Sequence, residues 1–181
     1  MRVSKLALVL ALVFITGCAN LRYYAEVPYV PSPPEVVDRM LELAEVKKDD
    51  IVYDIGSGDG RIVIRAAKKH GARGVGIEID PELVERSRAK AKEERVEHRV
   101  EFRHQDALTV DLSPATVVTL YMFPEFNAKL RPLLRRLKPG SRVVSHDFDI
   151  EGWSPTTVER MDGGWLHRHT IYLWKIEGGD R

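Results

Sequence analysis

"VYDIGSGDGR", residues 52–61, places Gly56, Gly58 and Gly60 at every second position directly after an apolar run. A glycine-rich turn between a strand and a helix lets backbone N–H groups and a helix N-terminus approach a ligand closely. A dinucleotide-binding turn is spaced G-x-G-x-x-G. Here the spacing is D-x-G-x-G-x-G, from Asp54 to Gly60. The added acid and the tighter glycines suit a ligand that carries an ammonium group and no pyrophosphate. No lysine directly follows the turn, which excludes a phosphate-binding P-loop.

Outward from this turn, the chain alternates two kinds of segment. Residues 34–46 space apolar side chains for one helical face, with Pro34 at the first turn. Residues 50–55 form an apolar strand, and 60–71 form a helix with a glycine stop. A strand over 73–80 leads into a highly charged helix over 81–95 that opens on Pro81. Residues 99–106 alternate as a strand, and 115–122 form a nearly continuous apolar strand of the kind covered on both faces. A helix over 125–140 contains Pro132 and ends at Pro139-Gly140; strands over 141–148 and 167–176 follow. Strands alternating with helices predict an α/β, mostly parallel sheet with helices on both faces. A last strand reached by a short connection should enter antiparallel.

Two further acids stand where a nucleoside ligand needs them. Glu78 ends "GVGIE", at the close of the second strand, where a carboxylate can accept ribose hydroxyls. Asp106 ends the next strand in "RHQDAL", placed to meet an adenine amino group. Ligands of such sheets bind at the carboxyl ends of the strands. Three carboxyl positions at three successive strand ends are a far more specific signal than the glycines alone.

With these motifs the chain resembles class I methyltransferases that use S-adenosylmethionine, over about residues 28–176. The stretches "PYVPSP" (28–33), "YDIGSGDGR" (53–61), "GIEIDPELV" (76–84), "TVVTLYMFPEFN" (116–127) and "LRPLLRRLKPGSRVVSHDF" (130–148) sharpen the resemblance. They are similar to a small protein-lysine methyltransferase family that includes the mitochondrial enzyme acting on the ATP synthase c-subunit and archaeal relatives. The resemblance implies a doubly wound, Rossmann-like sheet of seven strands with an antiparallel last strand. It implies S-adenosylmethionine as cofactor: Asp54 and the turn Gly56, Ser57, Gly58, Asp59 and Gly60 on the methionine moiety, Glu78 with Ile79 on the ribose, Asp106 with Ala107 on the adenine. Ser57 stands where many superfamily members carry cysteine.

The acceptor side offers Tyr121 after the fourth sheet strand, His146 and Asp147 at the end of the fifth, and Tyr29 in the proline-rich segment. Tyr29 facing Tyr121 would form a dehydrating channel that favours a neutral lysine amine. The resemblance implies a protein lysine side chain as the partner. A small-molecule or RNA acceptor, and a catalytically inactive membrane-tethered nucleoside-binding scaffold, remain open alternatives. Trp153, Trp165 and Trp174 are expected in core and hairpin packing, and the basic run from Lys129 to Lys138 on a solvated helix face. His167 and His169 alternate on the last strand without a third ligand nearby in sequence, so no metal site is expected.

The front end differs in character. Arg2 and Lys5 precede an apolar run over residues 6–15, too short to span a bilayer comfortably at about 20 residues. The run matches a secretory signal, and "ITGC" resembles a lipoprotein processing site at Cys18. The expected organisation is an anchor over 1–21, a proline-rich strap over 22–33 and a methyltransferase domain over 34–181, with the protein associated with a membrane through Cys18. Cys18 is also the single cysteine in 181 residues, which excludes an intrachain disulfide and a cysteine-based metal cluster. A formal net charge of +1 gives no bulk electrostatic argument for nucleic acid, so none is expected as a partner. The oligomeric state is left open.

Overall fold

The sheet is built outward from the strand that ends in the glycine turn. The computed structural model describes residues 29–162 and 168–178. The chain divides into two compact units, Met1–Val30 and Pro31–Arg181. Of the first unit only Tyr29 and Val30 are described, both irregular in backbone and exposed. The anchor with Cys18, residues 22–28 of the strap, Trp165 and His167 lie outside the described residues.

The second unit carries, in order, α1 (Pro34–Leu43), β1 (Ile51–Ile55), α2 (Arg61–His70), β2 (Arg73–Glu78), α3 (Pro81–Glu93), β3 (Val100–His104), β4 (Val117–Leu120), α4 (Pro124–Leu134), β5 (Arg142–His146), β6 (Thr157–Asp162) and β7 (Arg168–Lys175). The sheet order is β3-β2-β1-β4-β5-β7-β6. The β1–β2, β1–β4, β2–β3 and β4–β5 pairs are parallel. β7 runs antiparallel between β5 and β6, as the short final connection demands.

Successive side chains on a strand point to opposite faces, and the two cores follow that rule. Val52, Val117 and Val144 pack on one face with Met40 and Leu41 of α1 and with Val63 and Ala66 of α2. Their neighbours Tyr53, Val118 and Val143 pack on the other with Leu130 and Leu134 of α4. Trp174 is buried in that second layer and donates its indole N–H to the Trp153 carbonyl at 2.9 Å, which confirms the packing role of both.

Two elements differ from the sequence expectation. β6 carries exposed side chains at most positions, so it shows no apolar run, and the sequence pattern does not mark it. α4 ends at Leu134, short of Gly140. Pro132 has no N–H to donate back to the preceding turn. The chain then tightens, with Arg136 N bonding Leu133 O at 3.1 Å and Leu137 N bonding Leu134 O at 3.2 Å. No helix among the described residues is long and apolar enough to cross a membrane.

Candidate active site

All three glycines of the turn lie in the left-handed region, with φ of 71° at Gly56, 54° at Gly58 and 74° at Gly60. That conformation penalises any residue with a Cβ. Space excludes one as well. A Cβ at Gly56 would come 2.7 Å from Met122 Sδ, and one at Gly60 would meet the Phe102 ring at 2.5 Å. The turn's N–H groups are largely taken up within the protein. Gly56 N and Ser57 N bond Ile77 O at 2.9 and 3.0 Å, and Gly60 N bonds Ser57 O at 2.8 Å. The Gly58 N–H donates to Glu78 Oε2 at 2.8 Å. The glycines therefore supply a bare, closely approachable backbone more than a row of N–H donors. Ser57 Oγ is buried without a partner among the described residues.

Asp54 sits one residue before the end of β1, paired in register with Thr119 of β4. The Thr119 hydroxyl donates to Asp54 Oδ1 at 2.6 Å. Burial pushes the Asp54 carboxyl up to about 7; the Thr119 bond lowers it, and the charges of Glu78 and Asp59 add to the rise. A ligand bringing positive charge to this carboxyl would relieve both the burial and the like-charge repulsion. Asp59 is the opposite case. Burial works to raise it, but hydrogen bonds from Arg61 and Lys90 outweigh that and hold it at about 2. Its carboxylate therefore braces the turn.

Glu78 closes β2 with its carboxylate inside the turn. Besides Gly58, it accepts from the N–H groups of Ile79 and Asp80 at 2.8 and 3.0 Å. A carboxylate has about four acceptor positions, so this one is nearly saturated by backbone before a ligand arrives. Asp106 follows β3 and accepts the Leu108 N–H at 2.9 Å, capping a short 3-10 turn that begins at buried Ala107. The carboxyl set of Asp54, Glu78 and Asp106 fits S-adenosylmethionine: an acid for a cationic end and two more acceptors at adjacent strand ends for a ribose and a base.

The second half of the site lies at the carboxyl ends of β4 and β5. Tyr121 is half-buried, its ring centroid 4.0 Å from that of fully buried His146 and 5.9 Å from that of Phe148. Phe123 meets Phe148 edge-on at 5.5 Å and is 39% exposed. Phe148 is held by its backbone: its carbonyl accepts from Ser145 Oγ at 2.6 Å, and Asn127 Nδ2 bonds the next carbonyl, of Asp149, at 3.1 Å. Burial, and the Asp147 charge after it, push the Tyr121 hydroxyl above its ordinary value, so it stays neutral. Tyr29 belongs to the first unit, whereas these groups all belong to the second.

His169 of β7 joins His146 and Asp147, with ligand-type atoms of all three within 4.8 Å of one another. Sequence reasoning misses this grouping because it seeks a neighbour for His169 along the chain, whereas β5–β7 pairing supplies two across the sheet. It also misses Phe123, Phe148, Thr119 and Ser32. A signal exists for two of these: Thr119 is a polar residue inside an apolar strand, and Ser32 is a hydroxyl between two prolines.

Comparison with known proteins finds methyltransferases. A family model described as the ANTKMT methyltransferase domain matches residues 54–157. The protein-lysine N-methyltransferase of Saccharolobus islandicus (strain REY15A) is 46% identical over 156 residues, covering 85% of this chain and 96% of that one. The ATP synthase c-subunit lysine N-methyltransferase of Homo sapiens is 35% identical over 143 residues, 77% of this chain and 60% of that protein. The crystal structure of an RNA methyltransferase from Salinibacter ruber in complex with S-adenosyl-L-homocysteine matches with a TM-score of 0.78 at 57% identity, covering 82% of this chain and 94% of that one.

Proposed function

Because the chain belongs to the ANTKMT methyltransferase domain family and is an S-adenosylmethionine-dependent methyltransferase, we propose that its methyl acceptor is the side-chain amine of a protein lysine. When bound, S-adenosylmethionine supplies an electrophilic methyl group on a sulfonium. Asp54 takes the cationic methionine end, beside the turn from Gly56 to Gly60. Glu78 with Ile79 takes the ribose, and Asp106 with Ala107 the adenine. The observation that carries the acceptor is the aromatic lip of Tyr121, Phe148 and Phe123 beside His146 and Asp147. Aromatic faces admit a lysine ammonium and strip its water. They also hold the amine in line for transfer, which is the larger part of what such an enzyme contributes.

A second reading has a specific support: the Salinibacter ruber relative is described as an RNA methyltransferase. Against it, a net charge of +1 over 181 residues provides little of the basic footprint that RNA binding needs. Incubation with labelled cofactor and whole-cell extract separates the two. Label on protein, with mass shifts on lysine, supports the proposal; label confined to RNA or small metabolites overturns it. We further propose a membrane tether through lipidated Cys18, on the strength of the basic–apolar–"ITGC" order.

A further inference from the structure

We propose that Thr119 is a positioning residue of the cofactor site: its hydroxyl holds one oxygen of the Asp54 carboxylate and leaves the other for the amino group of the bound cofactor. This rests on the reading above that places Asp54 at the cationic methionine end, and deepens it.

Thr119 stands in "VVTL", residues 117–120, where the other three side chains are aliphatic and all four positions of β4 are buried. A hydroxyl shut away from water costs free energy unless it is hydrogen-bonded, and Thr119 is 0% exposed. Its acceptor comes from the neighbouring strand. Parallel pairing sets Thr119 opposite Asp54, and its Oγ1 donates to Asp54 Oδ1 at 2.6 Å. The Tyr53 carbonyl lies farther off at 3.4 Å, so the single hydroxyl proton goes to the carboxyl. Branching at Cβ restricts Thr119 to few rotamers, so strand register fixes where this donor points.

Asp54 needs the donor because its other neighbours work against its charge. Burial favours the neutral carboxyl, and the acids facing it, Glu78 at the end of β2 and Asp59 in the glycine turn, add to that preference. The cations beside the turn bond Asp59 instead, Arg61 Nε at 2.8 Å and Lys90 Nζ at 2.7 Å. Among the described residues, Thr119 is the one hydrogen-bond donor to the Asp54 carboxyl.

A hydroxyl accepts as well as donates, so a protonated Asp54 also bonds it. The bond to the ionised carboxylate is the stronger of the two, because it is charge-assisted. Thr119 therefore favours the ionised form, which is the form a cationic amine recognises. Holding Oδ1 also fixes the plane of the carboxyl. Oδ2 takes no hydrogen bond from a described residue and is the oxygen left for the ligand's N–H groups.

The test compares Thr119→Val, which keeps the shape and removes the hydroxyl, with Thr119→Ser, which keeps the hydroxyl. The probe is S-adenosylhomocysteine, which carries the same amino-acid end as the cofactor, titrated calorimetrically into the full chain between about pH 6 and pH 8. Losing the bond makes ionisation of Asp54 about 10-fold harder, on top of a value that burial has already pushed up to about 7. Thr119→Val should then bind about 10-fold more weakly than the unmutated protein at pH 6, and only about 2-fold more weakly at pH 8. The probe's own amine titrates alike in both proteins and cancels in the ratio. A second readout needs no ligand. Stability falls as pH rises until Asp54 is fully ionised in the folded chain, and the end of that fall should move up by about one pH unit in Thr119→Val. Thr119→Ser should restore both behaviours. If the valine variant does not fold, Thr119→Ala against Thr119→Ser makes the same comparison. An affinity deficit equal at every pH, no deficit at all, or a serine variant that behaves like the valine one would each overturn the positioning role. Unchanged affinity in Asp54→Asn would instead remove the reading that puts the cofactor's amino group at Asp54.

Discussion

The Glu78 carboxylate reaches into the glycine turn and accepts the Gly58 N–H at 2.8 Å, joining the ends of β1 and β2 across 20 residues of sequence. The acid proposed for the ribose is therefore also the clasp of the turn. Glu78→Ala should weaken S-adenosylmethionine binding by about 1.5–3 kcal/mol, the range for hydrogen bonds to a charged group, or roughly 10- to 100-fold in Kd. Calorimetry checks this, and unchanged affinity would remove Glu78 from the ribose.

Asp54 should make cofactor binding and stability depend on pH in opposite directions. Its folded value of about 7 lies above the ordinary 3.8. Between these values the folded chain holds a proton that the unfolded chain has released, so stability falls as pH rises through that window. Asp54→Asn should remove this slope and stabilise the ligand-free protein near pH 8, by on the order of a few kcal/mol. A cationic ligand favours the ionised carboxylate, so affinity for S-adenosylmethionine should climb from about pH 5 to pH 7, with proton release at pH 6. Calorimetry in two buffers of different ionisation heat reads that release directly; binding with no release and flat affinity would sink the assignment.

Gly60→Ala should damage the fold. The substitution forces a left-handed residue at φ 74° and drives its Cβ to 2.5 Å from the Phe102 ring and 2.8 Å from Ser87 Cβ. Left-handed strain of about 1–2 kcal/mol and overpacking of about 1–3 kcal/mol predict a fall in Tm of roughly 5–15 °C. A thermal melt within a degree or two of the unmutated protein would mean that the turn can relax.

Of the parallel strands, β1, β2, β4 and β5 were legible as mostly buried runs and β3 by its alternation, and the strand-end acids were legible because each stands at or just past the end of one of these strands. β6 was not: Thr157–Asp162 lies at the sheet edge with most side chains exposed, so burial imposes no pattern on it. The acceptor side was half legible for a different reason. Tyr121, His146 and Asp147 stand at strand ends, but their partners come from afar. Ser32 meets His146 across 114 residues, Thr119 meets Asp54 across 65, and His169 meets His146 across 23. Periodicity records which face a residue occupies, not which strand will lie beside it.

The proposed anchor has a direct test. Labelling cells with a palmitate analogue should tag the full chain and fail to tag Cys18→Ala, which should then leave the membrane fraction. Equal labelling of both, or a soluble full-length protein, would eliminate the lipid tether.

Tyr121 should matter to turnover far more than to cofactor affinity. Its ring lies against His146 at 4.0 Å and Phe148 at 5.9 Å, away from the Glu78 and Asp106 strand ends. Raised above its ordinary value by burial and by Asp147, its hydroxyl stays neutral and contributes shape, not charge. Tyr121→Ala opens the wall that dehydrates the amine and lets water into the transfer path. Tyr121→Phe keeps the wall. Misplacement of a reacting group by about 1 Å can cost on the order of 10²-fold, so the alanine variant should lose about that factor in kcat while its cofactor Kd changes little. The phenylalanine variant should retain most of the rate. If both variants lose the same activity, the hydroxyl and not the ring is what the reaction uses; if neither does, the acceptor enters elsewhere.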